Sequence, residues 1–395
     1  MHAEILTALK TVEIGINSKE PNPTQRGVLI EAGSTATTFT SFDLDTTVSV
    51  TVPCETQTSG TSLLDHSELV KILGAAVAGE TKKDADRTSV TLTGDLLTCG
   101  GMTIPIASLD PASFTRPPLP APTLATVDTS TFLAQLQRTL PARCDDITLP
   151  TLTGVEVTLT GQTVTLAATD RYRFAVADVP ATPTQDTVIS AVVPGDALKR
   201  LVPVLKTHTG TVALGITPDG RWFTLTAGQI TATLRTFDGR LPGYSSLFPD
   251  TAVAAVSIPR AVFATALKKT ATVIKAKASK DTPVSLLWDG DGRLTLAPAL
   301  PADQDRARLQ GIPLPYTIPQ GDPTVLPRRA ASFKPHFLAD ALAVFSGDTV
   351  TLHLPASLTQ NKNMAVTFTD GPNITGDGYR HLLMSVRLDD GTWNL

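Results

Sequence analysis

Long apolar runs are missing from this sequence. No stretch approaches the ~20 consecutive apolar residues that a membrane-spanning helix requires, although 42% of the 395 residues are hydrophobic. Charge is sparse as well. Asp, Glu, Lys and Arg make up 18% of the chain and leave a formal net charge of -4. That balance does not suggest disorder, and a net-acidic chain is not an obvious nucleic-acid binder. Net charge, however, says nothing of where the positive side chains gather. Cysteine is scarce: Cys54, Cys99 and Cys144 form no CxxC pair, and an odd number closes no disulfide set. They read as reduced, mostly buried thiols of a cytoplasmic protein. The opening MHAEILTALKTVEIG has neither the basic start nor the apolar stretch of a signal peptide.

Catalytic and metal-binding patterns are missing too. There is no GxxxxGK[ST] phosphate loop, no GxGxxG and no GxSxG elbow. The six histidines, His2, His66, His208, His336, His353 and His381, form no HxxxH or His-Cys cluster. WDGDGRL (288–294) reads as a hairpin turn and lacks the closing Glu of a calcium loop. Asp145-Asp146 and Asp389-Asp390 are adjacent pairs whose side chains point apart, so they make poor acid–base couples. Asn373-Ile374-Thr375 fits a glycosylation acceptor only by chance in a chain without a secretion signal. No cofactor, metal or catalytic site is expected.

What is present is a repeat. An amphipathic helix preceded by a turn or cap residue begins near Leu63, Val127, Val192, Ser257 and Ser332, and a shorter candidate, AEILTALKTV, opens the chain. The spacing is about 65 residues, with the last interval about ten longer. Cap or first-turn candidates are Asp65, Thr129 or Ser130, Pro194, Pro259 and Pro335. Between the helices, Thr, Val and Leu alternate across Gly-Gln and Asp-Gly turns, as in VEVTLTGQTVTLAATD. The unit is therefore one helix and three or four antiparallel strands, and six units fill the chain. Proline-rich joints at 114–123 and 247–256 pair them into three domains, 1–122, 123–249 and 250–388. That agrees with about 100–200 residues per domain.

One strand breaks its own pattern. LAATDRYRFAV (166–176) interrupts an apolar run with Asp170-Arg171-Tyr172-Arg173. FDGRLPGYSSLFP (237–249) and HLLMSVRL (381–388) follow in order. Together these three motifs resemble the bacterial DNA polymerase III beta subunit, the sliding clamp. The first is Thr169-Asp170-Arg171-Tyr172-Arg173-Phe174-Ala175, the second Gly239-Arg240-Leu241-Pro242-Gly243-Tyr244 closing at Pro249, and the third Leu383 to Leu388. The resemblance covers the second and third domains well and the first less so. It implies an α+β, three-domain DNA clamp fold in which each domain holds two helix-plus-antiparallel-sheet repeats. Two subunits would then close head to tail into a six-domain ring, with helices lining the hole and sheets outside.

The same resemblance implies a pocket for the peptide tails of replication and repair proteins. By motif it comprises Leu152, Thr169, Arg171, Tyr172, Arg173 and Phe174 from the first segment, and Pro242, Ser246 and Leu247 from the second. Leu382, Met384, Ser385, Val386 and Arg387 complete it from the third. Tyr172 and Phe174 would form an apolar wall, Arg173 would hold a peptide carbonyl or Gln side chain, and Met384 would adapt to many partners. The chain departs from the pattern in three places. Ser385 replaces the usual proline, Ser246 stands where some members carry arginine, and 389–395 extends past the usual end.

Positive residues recur on the helices: Lys10, Lys71, Arg138, Arg143, Lys199, Arg200, Lys206, Lys268 and Lys275. Facing a hole, they would meet phosphates of double-stranded DNA without reading its sequence. The resemblance also implies that Ile104 and Ile106 meet Val273 and Ile274 across the ring joint, although ordinary core is an equal reading. The expected function is a non-enzymatic processivity factor, a homodimer that tethers DNA polymerase III through its alpha subunit and needs a clamp loader. A variant or accessory clamp copy with an altered pocket is the alternative. An enzyme on a repeated β scaffold is the third reading, and the sequence offers it no polar constellation.

Overall fold

The computed structural model describes all residues except 20–21, 187, 356–363 and 389–395. Six helices of ten residues or more recur at the expected positions: α1 His2–Val12, α2 His66–Ala76, α3 Thr129–Thr139, α4 Gly195–Leu205, α5 Arg260–Lys277 and α6 Pro335–Val344. Two six-residue helices, Lys82–Arg87 and Asp303–Arg308, were not anticipated.

From α2 onward, each of the five remaining long helices follows a strand, directly or, for α6, after the single residue Lys334. Asp65 ends the strand Gly60–Asp65 and caps α2, its carboxylate accepting from Glu68 N at 2.9 Å. Pro194 and Pro259 are the caps of α4 and α5, and Pro335 opens α6. The cap of α3 is a correction. It is Asp128, whose Oδ1 accepts from Thr131 N at 2.8 Å and from the Ser130 and Thr131 hydroxyls, which holds its carboxyl down at about 2. The Thr129 hydroxyl is already committed, donating to the Gly210 carbonyl at 2.8 Å.

The chain forms two compact units. The first comprises 1–133, 157–164 and 180–239, the second 134–156, 165–179 and 240–395. The stretch 123–249 thus contributes to both.

In the first unit, Thr46–Pro53 pairs on one side with Ala36–Phe42 and on the other with Ile230–Arg235. Ile230–Arg235 continues through Trp222–Ala227 and Thr211–Ile216 to Thr123–Asp128, every pair antiparallel. The sheet therefore runs without a break from the N-terminal repeats into the middle ones. Asp219-Gly220 turns one of its hairpins, with Gly220 at φ +72°, a conformation that costs glycine nothing. Two histidines brace α1 and α2 reciprocally: His2 Nε2 meets the Leu73 carbonyl at 3.0 Å, and His66 Nε2 meets that of Leu9 at 2.9 Å. They serve as buried structural groups.

In the second unit, Arg173 to Ala177 pairs antiparallel with Tyr379 to Leu383, so that Phe174 lies opposite Leu382. That strand pairs in turn with Ala365–Thr369, then Thr349–Leu354, then Ala254–Pro259. A second sheet joins Val284–Trp288 to Leu294–Pro298 and Arg329–Phe333. Trp288, Phe263, Phe333, Phe368 and Tyr379 of this unit are fully buried. Phe333 and Phe368 meet edge to face at 5.8 Å, a contact worth about 1 kcal/mol beyond its buried area.

Candidate peptide pocket and basic helices

The break in LAATDRYRFAV is a turn that specifies itself. Asp170 Oδ1 accepts from Tyr172 N and Arg173 N, each at 3.0 Å. The Thr169 hydroxyl donates to the Arg173 carbonyl at 2.6 Å and accepts from Arg171 N at 3.1 Å. The turn bends through Arg171, which sits at φ +80°. A non-glycine residue there costs roughly 1–2 kcal/mol, which these four bonds offset. Arg171 and Tyr172 are thereby pushed outward, and Tyr172 keeps 48% of its surface exposed. The strand then resumes, and Phe174 returns to the interior with 2% exposure.

The other two motifs come to the same place. Met384 N donates to the Tyr172 carbonyl at 2.8 Å, binding the end of the last strand to the turn. Ala167, Phe174, Val176, Leu241, Phe248 and Leu382 form one buried apolar cluster, with Leu152, Tyr244, Ala365 and Met384 packed against it. Phe174, Tyr244 and Phe248 are mutually in contact, at 5.1–6.3 Å between ring centroids. Leu247, 40% exposed, Pro242 and Ser246 stand on the exposed loop that carries Tyr244 and Phe248. The structure thus gives a buried aromatic floor and an outer edge of half-exposed apolar side chains.

Several expected pocket residues have other tasks. Arg173 is buried and does not reach out to a ligand. Its Nε donates to Asp170 Oδ2 at 2.9 Å and its Nη1 to Asp340 Oδ2 at 2.6 Å. Thr169 lies beneath the turn, 3% exposed. Ser385, 5% exposed, donates its N–H to the Met364 carbonyl at 2.7 Å and accepts from Met364 N at 2.8 Å through Oγ. The first of these bonds is impossible for the expected proline. Val386 N donates to the Ser332 carbonyl at 2.7 Å, and Arg387 is exposed. Asp389, Asp390 and Trp393 of the extension lie outside the described residues.

Phe337 is the residue that sequence reasoning missed. It lies on α6, stacked on Tyr172 at 5.8 Å with 26° between the planes. Lys334 Nζ lies 5.1 Å from the centre of the Tyr172 ring and 5.8 Å from that of Phe337. Exposed His336 has its pKa lowered, by desolvation first and then by the nearby positive charges of Lys334 and Arg173. The helix period alone contained the signal: Phe337 and Asp340 are three residues apart and share a face.

Most of the expected basic side chains do stand in solvent. Lys10, Lys71, Lys199, Arg200, Lys206, Lys268 and Lys275 are exposed. Arg138 and Arg143 are corrections. Arg138 is ion-paired with Asp370 and lies 3.9 Å above the Tyr379 ring, with only 15% of its side chain exposed. Arg143 is 11% exposed and pairs with Asp145 at 3.0 Å. Ile106 and Ile274 are also corrected: at 2% and 1% exposure they belong to the chain's own core. Their neighbours Ile104, half-buried, and Val273, 42% exposed, retain surface. Among the described residues no cluster of His, Cys, Asp or Glu is arranged to hold a metal, and no helix is long and apolar enough to cross a membrane.

Comparison with known proteins finds likeness to the DNA polymerase III beta subunit. Residues 126–243 match the family model of the DNA polymerase III beta subunit, central domain. The beta sliding clamp of Streptomyces coelicolor is 28% identical over 377 residues, 94% of each chain. A beta sliding clamp homolog, GriR, of Streptomyces muensis is 29% identical over 74% of this chain and 76% of its own. Among solved structures, the griselimycin-bound DnaN sliding clamp of Pseudomonas aeruginosa superposes with a TM-score of 0.80 at 19% identity, covering 98% of each chain. The Thermotoga maritima DNA polymerase III beta subunit gives 0.76 at 20%, again over 98% of each.

Proposed function

The chain has the beta sliding clamp fold built around a DNA polymerase III beta-subunit central domain, and from this premise we infer that it is a DNA sliding clamp. In this reading it is a non-catalytic processivity factor. Two copies close head to tail around duplex DNA, and the pocket beside Tyr172 and Met384 captures peptide tails of the polymerase alpha subunit, the clamp loader and other replication and repair proteins. The observation that carries the reading is the Met384–Tyr172 backbone bond over the Phe174 floor, which assembles three separate sequence motifs into one surface.

An acidic protein can hold DNA this way because the grip is topological. Lys199, Arg200, Lys268 and Lys275 meet phosphates through long, mobile side chains, giving weak, sequence-blind, salt-sensitive contacts suited to sliding. Ring closure falls to the surface around Ile104 and Val273, and a head-to-tail contact that closes after two copies makes a ring. The domains of this assembly are 1–122, 123–249 and 250–388, in the cytoplasm.

The first test is solution mass by light scattering across a dilution series. A mass twice 41.6 kDa that persists on dilution supports the ring, whereas a monomer at all concentrations removes it. The second is retention on DNA. A closed ring stays on circular DNA in high salt and runs off linear DNA, and equal loss from both refutes encirclement. A second reading, an accessory clamp copy with altered partners, draws on Ser385, whose N–H bond a proline could not make. Peptide affinities against the host's own replication proteins separate the two.

A further inference from the structure

The guanidinium of Arg173 is fixed on three sides. Asp170 takes Nε, Asp340 takes Nη1, and the Phe337 ring lies 4.7 Å from Cζ. Two of these three partners, Phe337 and Asp340, come from one face of α6. The turn needs neither of them for its own shape, since Thr169 and Asp170 already close it. What Phe337 and Asp340 add is a fixed seat for the turn on the helix. Tyr172, the residue before Arg173, then has its ring against Phe337 and its carbonyl on Met384 N.

We propose that Asp340 is a positioning residue for the peptide pocket: acting through Arg173, it seats the 169–173 turn on α6 and so sets the Tyr172 ring beside Met384. This rests on the reading of that surface as a peptide site. Asp340 itself remains 47% exposed, is joined to the turn by its ion pair with Arg173, and carries no motif that marks it in the sequence.

The test compares the full-length chain with Asp340→Asn and Asp340→Glu. Two quantities are read: the ring resonances of tyrosine-labelled protein, and the affinity for a fluorescein-labelled peptide tail of the polymerase alpha subunit. The chain has four tyrosines, so Tyr172→Phe assigns the resonance. Asp340→Asn is expected to move the Tyr172 resonance alone and weaken the peptide about five-fold, and Asp340→Glu to restore most of both. An unmoved Tyr172 resonance overturns the proposal. So does movement of all four tyrosines with a fall in melting temperature, since that is a general loss of structure. If the unaltered chain binds no peptide, the pocket reading fails instead. The Tyr172 resonance then decides the brace by itself: moved supports it, unmoved overturns it.

Discussion

The backbone N–H of Met384 donates to the carbonyl of Tyr172, so the last strand and the charged turn are joined through main chain. This separates the architecture of the surface from its chemistry. A substitution at Met384 can change what the surface binds while leaving the joint intact.

Met384→Ala should therefore act on affinity. The thioether is half-buried and packs at the edge of the Phe174 cluster. Removing it takes away an adaptable contact and costs the fold about 1 kcal/mol, well under the 2–5 of a fully buried Met→Ala. The expected outcome is roughly a ten-fold loss of peptide affinity by anisotropy, with the melting temperature changed by only a few degrees. Unchanged affinity would remove Met384 from the site.

Arg173→Ala should act on stability. The change leaves the Asp170 carboxylate, with its side chain 10% exposed, facing an empty buried space. Breaking such a pair from one side costs about 3–5 kcal/mol, and the half-exposed Asp340 end adds little. Urea midpoints should fall accordingly, and Asp170→Ala combined with Arg173→Ala should cost less than the sum of the two. An Arg173→Ala chain of normal stability that has lost peptide binding would restore the arginine to the role its motif suggests.

Ser385→Pro tests the departure from the family pattern. Proline removes the N–H that bonds the Met364 carbonyl and the hydroxyl that accepts from Met364 N. Two buried hydrogen bonds lost, with their partners unsatisfied, should cost about 2–4 kcal/mol, and Ser385→Ala about half of that. Equal stability of all three proteins would mean that the strand end is not anchored there.

The fold was legible because its signals are local. Caps such as Asp65 and Pro259 sit beside the helices they start, and a repeat of about 65 residues declares itself through them. The α3 cap, expected at Thr129 or Ser130, lies one or two residues earlier because Asp128, Thr129 and Ser130 are all good caps; the Gly210 carbonyl takes the Thr129 hydroxyl and the Ser130 hydroxyl itself donates to Asp128. The site was less legible because its decisive contacts are distant in sequence. Arg173 looks like a ligand-binding arginine until Asp340 is brought to it, and Arg138 looks like a DNA contact until Asp370 and Tyr379 cover it. Ile104 and Ile106 are two residues apart and would share one face of a continuous strand, but the strand Met102–Pro105 ends before Ile106, which turns into the chain's own core.

The acid limb of stability should report His381. Tyr379 is buried and its hydroxyl donates to the Arg138 carbonyl at 2.9 Å, which leaves its oxygen to accept from His381 Nδ1 at 3.0 Å. His381 is therefore the neutral Nδ1–H tautomer. Burial, then the positive charges of Arg173 and Arg138, push its pKa down to about 3. His353 is pushed down to about 4 by burial alone. In the unfolded chain both titrate near 6.5. Between those values the unfolded chain holds more protons than the folded one, so stability rises with pH through the window and is complete above about 6.5. On acidification it falls progressively towards pH 3, by at most about 4 kcal/mol from His381. Urea unfolding at pH 4.5, 5.5 and 7 should show that slope, and His381→Gln, which cannot titrate, should flatten it. A slope unchanged by the substitution would assign the acid limb to His353 and the carboxylates instead.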